Sequence, residues 1–456
     1  MKVAPRYTIC KKNADFPLKK AVCRLWHTFC LYMLLYYYIT AKKEMTMQER
    51  DDIGASLARF HAALKQSGSG LTAFAKSQYM EKWQSETIFH VLKIRTTAVN
   101  AMQEYLVNNG ILNLERVSLS PVTDPLAHDI EYSPTISYKG QPYKTTHSMI
   151  YSKFLACSNP HLKGVYIDSP NIRLELESPV GEQRGRYLID FSQMDIEVRR
   201  EKFVPLEDYY NEVEKVKKIL KEDLAKALGF FEDLIIHTVK ALKEKNEADL
   251  AALGVKLEVP AKPFPSFFLD EAKKKAAGGS VEKVLGETCG SQFFWIKGIL
   301  RENYDLVYPY LKADGSKRDP EDIPSTDIYN YDLCAQSALL EGGMGGALEV
   351  LSGAIREWLY EPIIARLIDN KIIPEAPLLD RNGEITNIEK LSGYAPFLAV
   401  AGMKGPDGAP LFPSTFGGGI GVERFLYALL KGPVIKKIDD VTLFGKNPDS
   451  YPVYIF

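Results

Sequence analysis

The most constraining feature of the chain is the stretch from Thr415 to Leu430, T-F-G-G-G-I-G-V-E-R-F-L-Y-A-L-L. Glycine has no Cβ, so a strand rich in glycine can lie directly against a flat ligand such as a nucleotide base. The dinucleotide fingerprint G-x-G-x-x-G is not met because Val422 stands at its last position, and no G-K-[ST] phosphate loop occurs. The stretch therefore indicates either a nucleotide-binding strand outside the two common nucleotide folds or a glycine-rich turn before a buried helix.

The composition is that of a globular protein with no electrostatic preference for polyanions. At 456 residues, 46% of them hydrophobic and 25% charged, the chain is long enough for two or three domains. The 57 Lys and Arg residues nearly cancel the 58 Asp and Glu residues, so the chain offers no footprint for a long nucleic acid. The six cysteines show no C-x-x-C spacing, which favours a reducing, cytoplasmic location and argues against zinc.

The first 44 residues differ from the rest of the chain. Nine Lys and Arg residues stand against Asp15 and Glu44 and surround an apolar run from Leu25 to Thr40. That run is shorter than the roughly 20 residues that cross a bilayer as a helix, and no A-x-A cleavage site follows it. We expect residues 1–44 to be an extension outside the fold, with a membrane anchor as the alternative.

The remaining sequence predicts a helical region at residues 45–84 and an α+β domain at residues 85–456. Apolar residues recur at helical spacing from Ile88 to Leu106, where Asn108-Asn109-Gly110 ends the pattern, and an extended segment then runs to Pro121. Further strands are predicted in G-V-Y-I-D-S, R-Y-L-I-D-F-S-Q-M-D-I-E-V and Q-F-F-W-I-K, with helices concentrated between Leu206 and Leu242. We therefore expect an antiparallel sheet flanked by helices, with insertions or loops near 313–330 and 336–346.

Four further segments place charged side chains in strand-like sequence, where burying an unpaired ion costs several kcal/mol. Arg173 and Glu175 share a strand face, which an ordinary ion pair would explain. The second segment places an aromatic ring and two carboxylates on one face, an unusual core: Phe191, Gln193, Asp195 and Glu197. The last two segments supply oxygen ligands for Mg²⁺ and a further guanidinium: Asp332, Glu349, Ser352 and Arg356. Together they offer what adenylation of a carboxylate requires, which is mainly positioning and charge neutralisation.

In this setting G-G-G-I-G-V-E-R resembles the third signature motif of class II aminoacyl-tRNA synthetases. The helix and strand ending at Pro121 resemble motif 1, and R-L-E at Arg173 followed by D-F-S-Q-M-D-I-E resembles motif 2. E-V-L-S-G-A-I-R is similar to the aspartyl/asparaginyl branch. The ordered set L-S-P-V-T-D-P, T-H-S-M-I, S-P-N-I-R-L-E, F-W-I-K, N-Y-D-L and S-G-A-I-R-E-W resembles, more narrowly, the archaeal-type asparagine synthetases, which lack an anticodon-binding domain.

The resemblance implies a class II synthetase-like catalytic domain, dimerised through motif 1, that uses ATP, Mg²⁺ and aspartate. It implies that Arg173 holds the α-phosphate, Arg424 the γ-phosphate, and Arg356 the side-chain carboxylate of the substrate. The other implied ATP-binding residues are Glu175, Arg184, Arg186, Phe191, Gly419 and Gly421. The other implied substrate-binding residues are Ser148, Lys153, Gln193, Asp195 and Ser352, with Asp195 on the ammonium group. The implied metal ligands are Glu349 and Ser352, with Asp332 as a weaker candidate.

The chain departs from the family pattern at three places. Tyr187 stands where relatives commonly carry histidine, which transfers that loop's phosphate contact to Arg184 or Arg186. The spacing from Asp332 to Glu349 is longer than usual, with E-G-G-M-G-G inserted, so a rebuilt or covered metal site is expected. Simple alignment also places Ser152, rather than Lys153, at a substrate-binding lysine of the family.

These features predict an AMP-forming ligase that activates aspartate and transfers it to ammonia without tRNA. Residues 45–84 read as helix and contain no run of five short strands, so no anticodon-binding barrel is expected there. The expected partners are small molecules and a second copy of the chain. Three alternatives stay open: a ligase for another amine, a tRNA-aminoacylating synthetase, and a non-catalytic regulatory protein.

Overall fold

The computed structural model describes residues 80–446 except 122–133, 174–186, 202–203, 205, 302–303, 313, 341–343 and 407, together with residues 58, 62 and 65. The chain divides into two compact units, Met1–Ser69 and Gly70–Phe456. All elements given below belong to the second unit. The expected extension at residues 1–44 and most of the expected helical region at 45–84 lie outside the described residues.

Among the described α-helices, Ser85 and Ser280 each cap a helix start with a side-chain hydrogen bond. The longest one near the start of the second unit is capped by Ser85, whose side chain accepts a hydrogen bond from the backbone N–H of Ile88, and it ends before Gly110 at φ 77°. In chain order the α-helices are α1 (Glu81–Trp83), α2 (Glu86–Asn108), α3 (Ile150–Cys157), α4 (Leu206–Asn211), α5 (Val213–Lys245), α6 (Glu247–Ala252), α7 (Leu269–Ala276), α8 (Val281–Thr288), α9 (Tyr360–Asp369), α10 (Ile388–Leu391), α11 (Ala395–Ala401) and α12 (Val422–Leu430). Short 3₁₀ helices occupy Pro320–Asp322, Ser325–Asp327, Ser392–Tyr394 and Ile438–Val441.

The strands form an eight-stranded sheet in the order β1-β5-β6-β11-β10-β9-β8-β7 and a three-stranded sheet in the order β2-β4-β3. They are β1 (Ile111–Asn113), β2 (Leu119–Ser120), β3 (Thr135–Tyr138), β4 (Gln141–Thr145), β5 (Gly164–Ile172), β6 (Asp190–Arg199), β7 (Ser266–Phe268), β8 (Phe293–Lys297), β9 (Asn330–Leu340), β10 (Met344–Ile355) and β11 (Thr415–Gly421). The expected α+β fold is confirmed, although the sheet is not purely antiparallel. The two outermost pairings, β1 with β5 and β7 with β8, are parallel.

One face of the large sheet carries the main hydrophobic core. Met194 and Ile196 in β6 and Ile420 in β11 are fully buried there, because alternate residues of a strand point to the same face. Helices α2, α5 and α12 contribute buried residues to the same cluster, and a Cβ added at Gly418 would lie 3.2 Å from the Phe231 ring of α5. The opposite face carries polar residues at its centre and, on the β8 and β9 side, a second and smaller apolar cluster that includes Phe294, Ile296 and Cys334.

Two sequence expectations need correction in the fold. Leu92, counted in the apolar stripe of α2, is 38% exposed, whereas Ile88, Val91, Met102 and Leu106 are buried as expected. The region 336–346 was expected to be an insertion or loop, but much of it continues β9 and β10 as a hairpin. Met344 pairs with Leu340 and Gly346 with Ser337, with a register shift between these two pairs.

Among the described residues, no helix is both long enough and apolar enough to cross a membrane.

Candidate active site

The polar face of the sheet is organised as rows that cross four strands. Asp195 in β6 lies opposite Gly419 in β11, which lies opposite Ser352 in β10, which lies opposite Asp332 in β9. Directly opposed residues point to the same face of a sheet. The register therefore brings Asp195 and Ser352 into one row, although they are 157 positions apart in the sequence. Both belong to segments that the sequence singled out.

The glycines of β11 are required by the packing of this face. A Cβ at Gly417 would lie 2.1 Å from Glu197 Oε2, and a Cβ at Gly419 would lie 1.9 Å from Gln193 Nε2. At Gly421 the nearest atom would be 3.7 Å away, in Arg424, so that position is open. Gly417 and Gly419 thus admit the polar side chains of β6, while Gly419 and Gly421 also line the cavity above the sheet.

One end of this cavity carries two arginines, each beside an aromatic ring. The Arg173 guanidinium lies 5.2 Å from the centre of the Phe191 ring and donates to the backbone carbonyl of His147. The Arg424 guanidinium lies 5.0 Å from the centre of the Tyr187 ring, and its Nη1 is 3.4 Å from Glu349 Oε1. Tyr187, the departure from the family histidine, therefore contacts the expected γ-phosphate arginine.

Glu423, near Arg173 and Arg424, links the start of α12 to β6 through a hydrogen bond. It accepts a hydrogen bond from the backbone N–H of Ser192 at 2.9 Å, and Arg95 Nη2 lies 3.4 Å from its other oxygen. Burial raises the pKa of Glu423, although the hydrogen bond from Ser192 and the charge of Arg95 oppose this. The contact fixes the strand that carries Phe191 relative to the helix that carries Arg424.

The other end of the cavity is a buried cluster centred on Arg356. The side chain is 3% exposed, and its Nε and Nη1 lie 3.3 Å from Glu197 Oε1 and 3.0 Å from Asp305 Oδ1. Burial disfavours the charge on Arg356, but the two carboxylates outweigh it and raise its pKa. Arg356 is therefore a permanent cation held in a fixed plane at the base of the cavity.

Asp195 lines the cavity beside this cluster, and Lys153 lies behind it. Lys153 is fully buried, donates to Asp195 Oδ1, and lies 3.5 Å from Glu197 Oε2. It does not line the cavity, so the expectation that Lys153 binds substrate directly is corrected. Its ammonium group pairs with the carboxylates of Asp195 and Glu197 in β6 and holds them in position.

Two of the three expected metal ligands line the cavity. Glu349 and Ser352 line the cavity, and the Glu349 side chain is 33% exposed. Asp332 instead accepts two hydrogen bonds from Arg301 Nη1, at 2.6 and 2.7 Å, and does not line the cavity. Burial raises the pKa of Asp332 to about 7 despite Arg301. The two hydrogen bonds make this weaker candidate a partner of Arg301.

Mg²⁺ fits the two remaining oxygen ligands when a nucleotide supplies the others. The described residues contain no group of three or more His, Cys, Asp or Glu side chains arranged to hold a metal. Mg²⁺ commonly binds through one or two protein oxygens plus substrate phosphates. Glu349 and Ser352 meet that requirement next to the expected phosphate arginine, Arg424.

The segment after β8 contributes three cavity residues that the sequence patterns did not reveal. Arg301, Tyr304 and Asp305 all line the cavity. They precede β9 in irregular backbone, where no periodicity predicts a face. The signal that could have found Tyr304 and Asp305 is the tetrapeptide N-Y-D-L at residues 303–306, which recurs at residues 330–333. Asp305 reaches the site because it forms an isolated antiparallel bridge with Arg356.

Most of the other predicted site residues come together in this cavity, while three of them fall outside the described residues. Ser148 and Gln193 line it with Arg173, Phe191, Gly419 and Gly421. Glu175, Arg184 and Arg186 lie in the segment 174–186, outside the described residues. Residues 122–125 of P-V-T-D-P and 341–343 of E-G-G-M-G-G also lie outside them, and we expect these two segments to be lids over the site.

In sequence, the chain is similar to aspartate–tRNA(Asp) ligases. Those of Pyrococcus furiosus and Thermococcus kodakarensis are each 20% identical over 299 residues, which make up 63% of this chain and 58% of the relative. An aspartate–tRNA(Asp/Asn) ligase of Methanoculleus marisnigri is 23% identical over 232 residues, 47% of each chain. The chain thus spans about 58% of the length of the first two curated relatives, and no protein-family model matches it.

In structure, the chain is similar to asparaginyl-tRNA synthetases. The enzyme of Pyrococcus horikoshii complexed with asparaginyl-adenylate gives a TM-score of 0.54 at 18% identity, over 80% of this chain and 70% of that one. The Entamoeba histolytica enzyme in complex with asparaginyl-adenylate gives 0.54 at 15% identity, over 79% and 67%. These likenesses confirm the expected fold, a class II synthetase-like catalytic domain in which helices flank a large sheet.

Proposed function

Because the chain is a divergent relative of the aspartyl- and asparaginyl-tRNA synthetases, we propose that it is an AMP-forming ligase that activates aspartate and transfers it to ammonia. The product would be asparagine, and no tRNA would be required. The proposal takes ATP as co-substrate and Mg²⁺ as the ion that accompanies it.

The observation that carries the proposal is the order of residues along β6. Phe191, Gln193, Asp195 and Glu197 follow one another on the same face, from the end beside Arg173 to the end beside Arg356. At about 3.3 Å per residue, this row is long enough to hold a nucleotide base at one end and a small amino acid at the other. A carboxylate between them would lie next to the α-phosphate.

In this arrangement the protein acts by positioning and by neutralising charge. Arg173 would contact the α-phosphate, where negative charge increases as the carboxylate attacks, and Arg424 would hold the γ-phosphate of the leaving pyrophosphate. Phe191 supplies the face on which adenine stacks. Mg²⁺, held by Glu349 and Ser352 together with phosphate oxygens, would supply further positive charge along the triphosphate.

The chemistry of asparagine formation determines how aspartate must lie. A side-chain carboxylate oxygen bonds to the α-phosphorus as pyrophosphate leaves. Ammonia then attacks the side-chain carbonyl carbon, AMP leaves, and the nitrogen loses a proton. The side-chain carboxylate must therefore point to Arg173, and the α-amino-carboxylate head must lie at the base near Arg356. The resemblance to the tRNA synthetases implied the reverse orientation, in which Arg356 binds the side-chain carboxylate and the α-carboxylate is activated. The proposal therefore changes the role expected of Arg356.

Aminoacylation of tRNA is the second candidate, because the curated relatives are tRNA ligases. The formal charge of -1 favours the small-molecule proposal, since binding of a polyanion relies on several basic contacts with phosphate. The two candidates predict different acceptors and different adenylates, the β-aspartyl adenylate for ammonia and the α-aspartyl adenylate for tRNA. They can therefore be separated with one purified protein.

The test is a product assay on nuclease-treated protein given ATP, Mg²⁺, aspartate and ammonium. We expect asparagine by mass spectrometry together with equimolar AMP and pyrophosphate. Formation of ADP would reject the adenylating class. Product that appears only after tRNA is added, or labelled aspartate esterified to tRNA, would establish the second candidate. A panel of other amines shows whether ammonia is the preferred acceptor.

A further inference from the structure

We infer that Asp305 is a substrate-selecting residue that binds the amino group of an α-amino-carboxylate head at the base of the cavity. The inference rests on the proposed function and names the recognised end of its substrate. Arg356 would bind the carboxylate of the head and Asp305 its ammonium group. The side-chain end would then be directed to the nucleotide.

The position of Asp305 allows it to touch a substrate. It is 1% exposed yet lines the cavity, and its backbone bridge to Arg356 places the two side chains together. Its Oδ1 accepts from Arg356 Nη1 at 3.0 Å, and its Oδ2 accepts from Asn330 Nδ2 at 2.9 Å. Arg301 Nε lies 3.6 Å from the same Oδ2. These contacts hold the carboxylate in one orientation.

The carboxylate keeps capacity for another donor. An ionised carboxylate offers about four lone-pair sites, and the two hydrogen bonds from described residues use one site on each oxygen. A substrate ammonium group brings three N–H donors and no acceptor. It can therefore bind Asp305 without displacing Arg356 or Asn330.

The charges around Arg356 favour a zwitterionic head, which carries both an ammonium group and a carboxylate. Four carboxylates, those of Asp195, Glu197, Asp305 and Asp332, face three cations, those of Lys153, Arg301 and Arg356. Glu197 and Asp305 both pair with Arg356, so a bare substrate carboxylate that bound Arg356 would lie close to two negative charges. Like charges at close range disfavour such an anion. A zwitterionic head pairs with both Arg356 and Asp305.

The experiment compares L-aspartate with succinate, which keeps both carboxylates and lacks the amino group. Isothermal titration calorimetry is performed with Mg²⁺ and α,β-methylene-ATP, which cannot release AMP, so binding is measured without turnover. We expect the wild type to bind L-aspartate at least tenfold more tightly than succinate. Asp305→Asn should reduce this ratio to below threefold, mainly by weakening L-aspartate.

Asp223→Asn is the matched control, because Asp223 is a buried carboxylate paired with Arg200 away from the cavity. It should lower the melting temperature and leave the aspartate-to-succinate ratio unchanged. The ratio compares two ligands on one preparation, so partial unfolding of a variant does not alter it. If Asp305→Asn weakens both ligands equally, Asp305 only positions Arg356 and the inference is wrong.

Trapping with hydroxylamine separates failure of the inference from failure of the proposed function. β-Aspartyl hydroxamate from the wild type supports a head bound at Asp305. α-Aspartyl hydroxamate overturns that orientation while leaving adenylation of aspartate intact. Absence of any hydroxamate and of AMP rejects the proposed function, and the calorimetric ratios then still decide the role of Asp305.

Discussion

At the scale of single residues, Arg173 and Arg424, the two arginines expected to hold phosphates, differ in what holds them. Arg173 is anchored by the carbonyl of His147, whereas Arg424 lies between Tyr187 and Glu349. The sequence motif identified both arginines but not these contacts. Each guanidinium is held in place before the nucleotide arrives, which reduces the cost of ordering it in the reaction.

Arg424→Ala should lower the rate of ATP-dependent AMP formation by a factor of about 30 to 1,000. The physical reason is the loss of a charge-assisted contact to the leaving pyrophosphate, which contributes about 2 to 4 kcal/mol of transition-state stabilisation. The measurement is steady-state AMP release at saturating aspartate. Arg116→Ala, which removes a surface pair with Asp168, should leave the rate unchanged, and an equal effect of both variants would exclude Arg424 from the site.

Glu357 next to Arg356 is a buried acid whose protonation should affect stability. Burial raises the pKa of Glu357 to about 7, although the backbone N–H groups of Leu359 and Trp358 and the Tyr209 hydroxyl donate to it. A carboxyl with a raised folded-state pKa binds its proton more tightly in the folded protein. Its contribution is therefore fully present below the unfolded pKa near 4.5 and is lost as the pH rises to about 7.

Glu357→Gln should remove this part of the pH dependence, while its amide oxygen still accepts from the backbone N–H groups of Trp358 and Leu359. Chemical denaturation between pH 4.5 and pH 8 is the measurement. We expect the free energy of unfolding of the wild type to fall relative to the variant as the pH increases across this window. Parallel curves for the two proteins would show that Glu357 does not titrate there.

At the scale of elements, two glycines of β11 have different roles. Gly417 makes room for Glu197, whereas Gly421 faces open space beside Arg424. Gly417→Ala should therefore destabilise the fold by about 1 to 3 kcal/mol or more, because backbone as well as side-chain atoms must move. Gly421→Ala should keep the wild-type melting temperature and raise the KM for ATP. Similar melting temperatures for both variants would contradict this assignment.

The β9–β10 hairpin shows where the long spacing between Asp332 and Glu349 is accommodated. The extra residues between Asp332 and Glu349 extend both strands, and Cys334 and Ala347 pack with Leu285 of α8 in a small separate core. The expectation of a rebuilt metal site is therefore not needed to explain the longer spacing. The added segment lies beyond the row that contains Ser352.

At the scale of the whole molecule, an exposed apolar surface supports the proposed homodimer. The side chains of Phe89 and Val107 in α2 and Leu112 in β1 are each more than half exposed, at 58%, 52% and 51%. They belong to the helix and strand that resemble motif 1. Such a concentration of exposed large apolar residues is typical of an interaction surface.

Leu112→Asp should convert a dimer into a monomer in light scattering coupled to size-exclusion chromatography. The introduced carboxylate would be buried without a partner at a close-packed contact, which strongly disfavours association. Leu378→Asp, at a similarly exposed leucine (56%) in a loop, is the control and should leave the mass unchanged. A wild type that elutes as a monomer at all concentrations would refute the homodimer.

The sequence by itself predicted many of the elements and more than half of the residues that line the cavity. Local signals sufficed there: the helical spacing from Ile88 to Leu106, the alternation along Phe191 to Glu197, and the glycines of β11 all act over a few positions. The tertiary structure decided which candidates meet. Lys153 pairs with Asp195, and Asp332 pairs with Arg301, so neither lines the cavity. Asp305 reaches the site from irregular backbone through its bridge to Arg356. Pairing between distant strands fixes those contacts, and a buried charge must find a partner wherever that register places it.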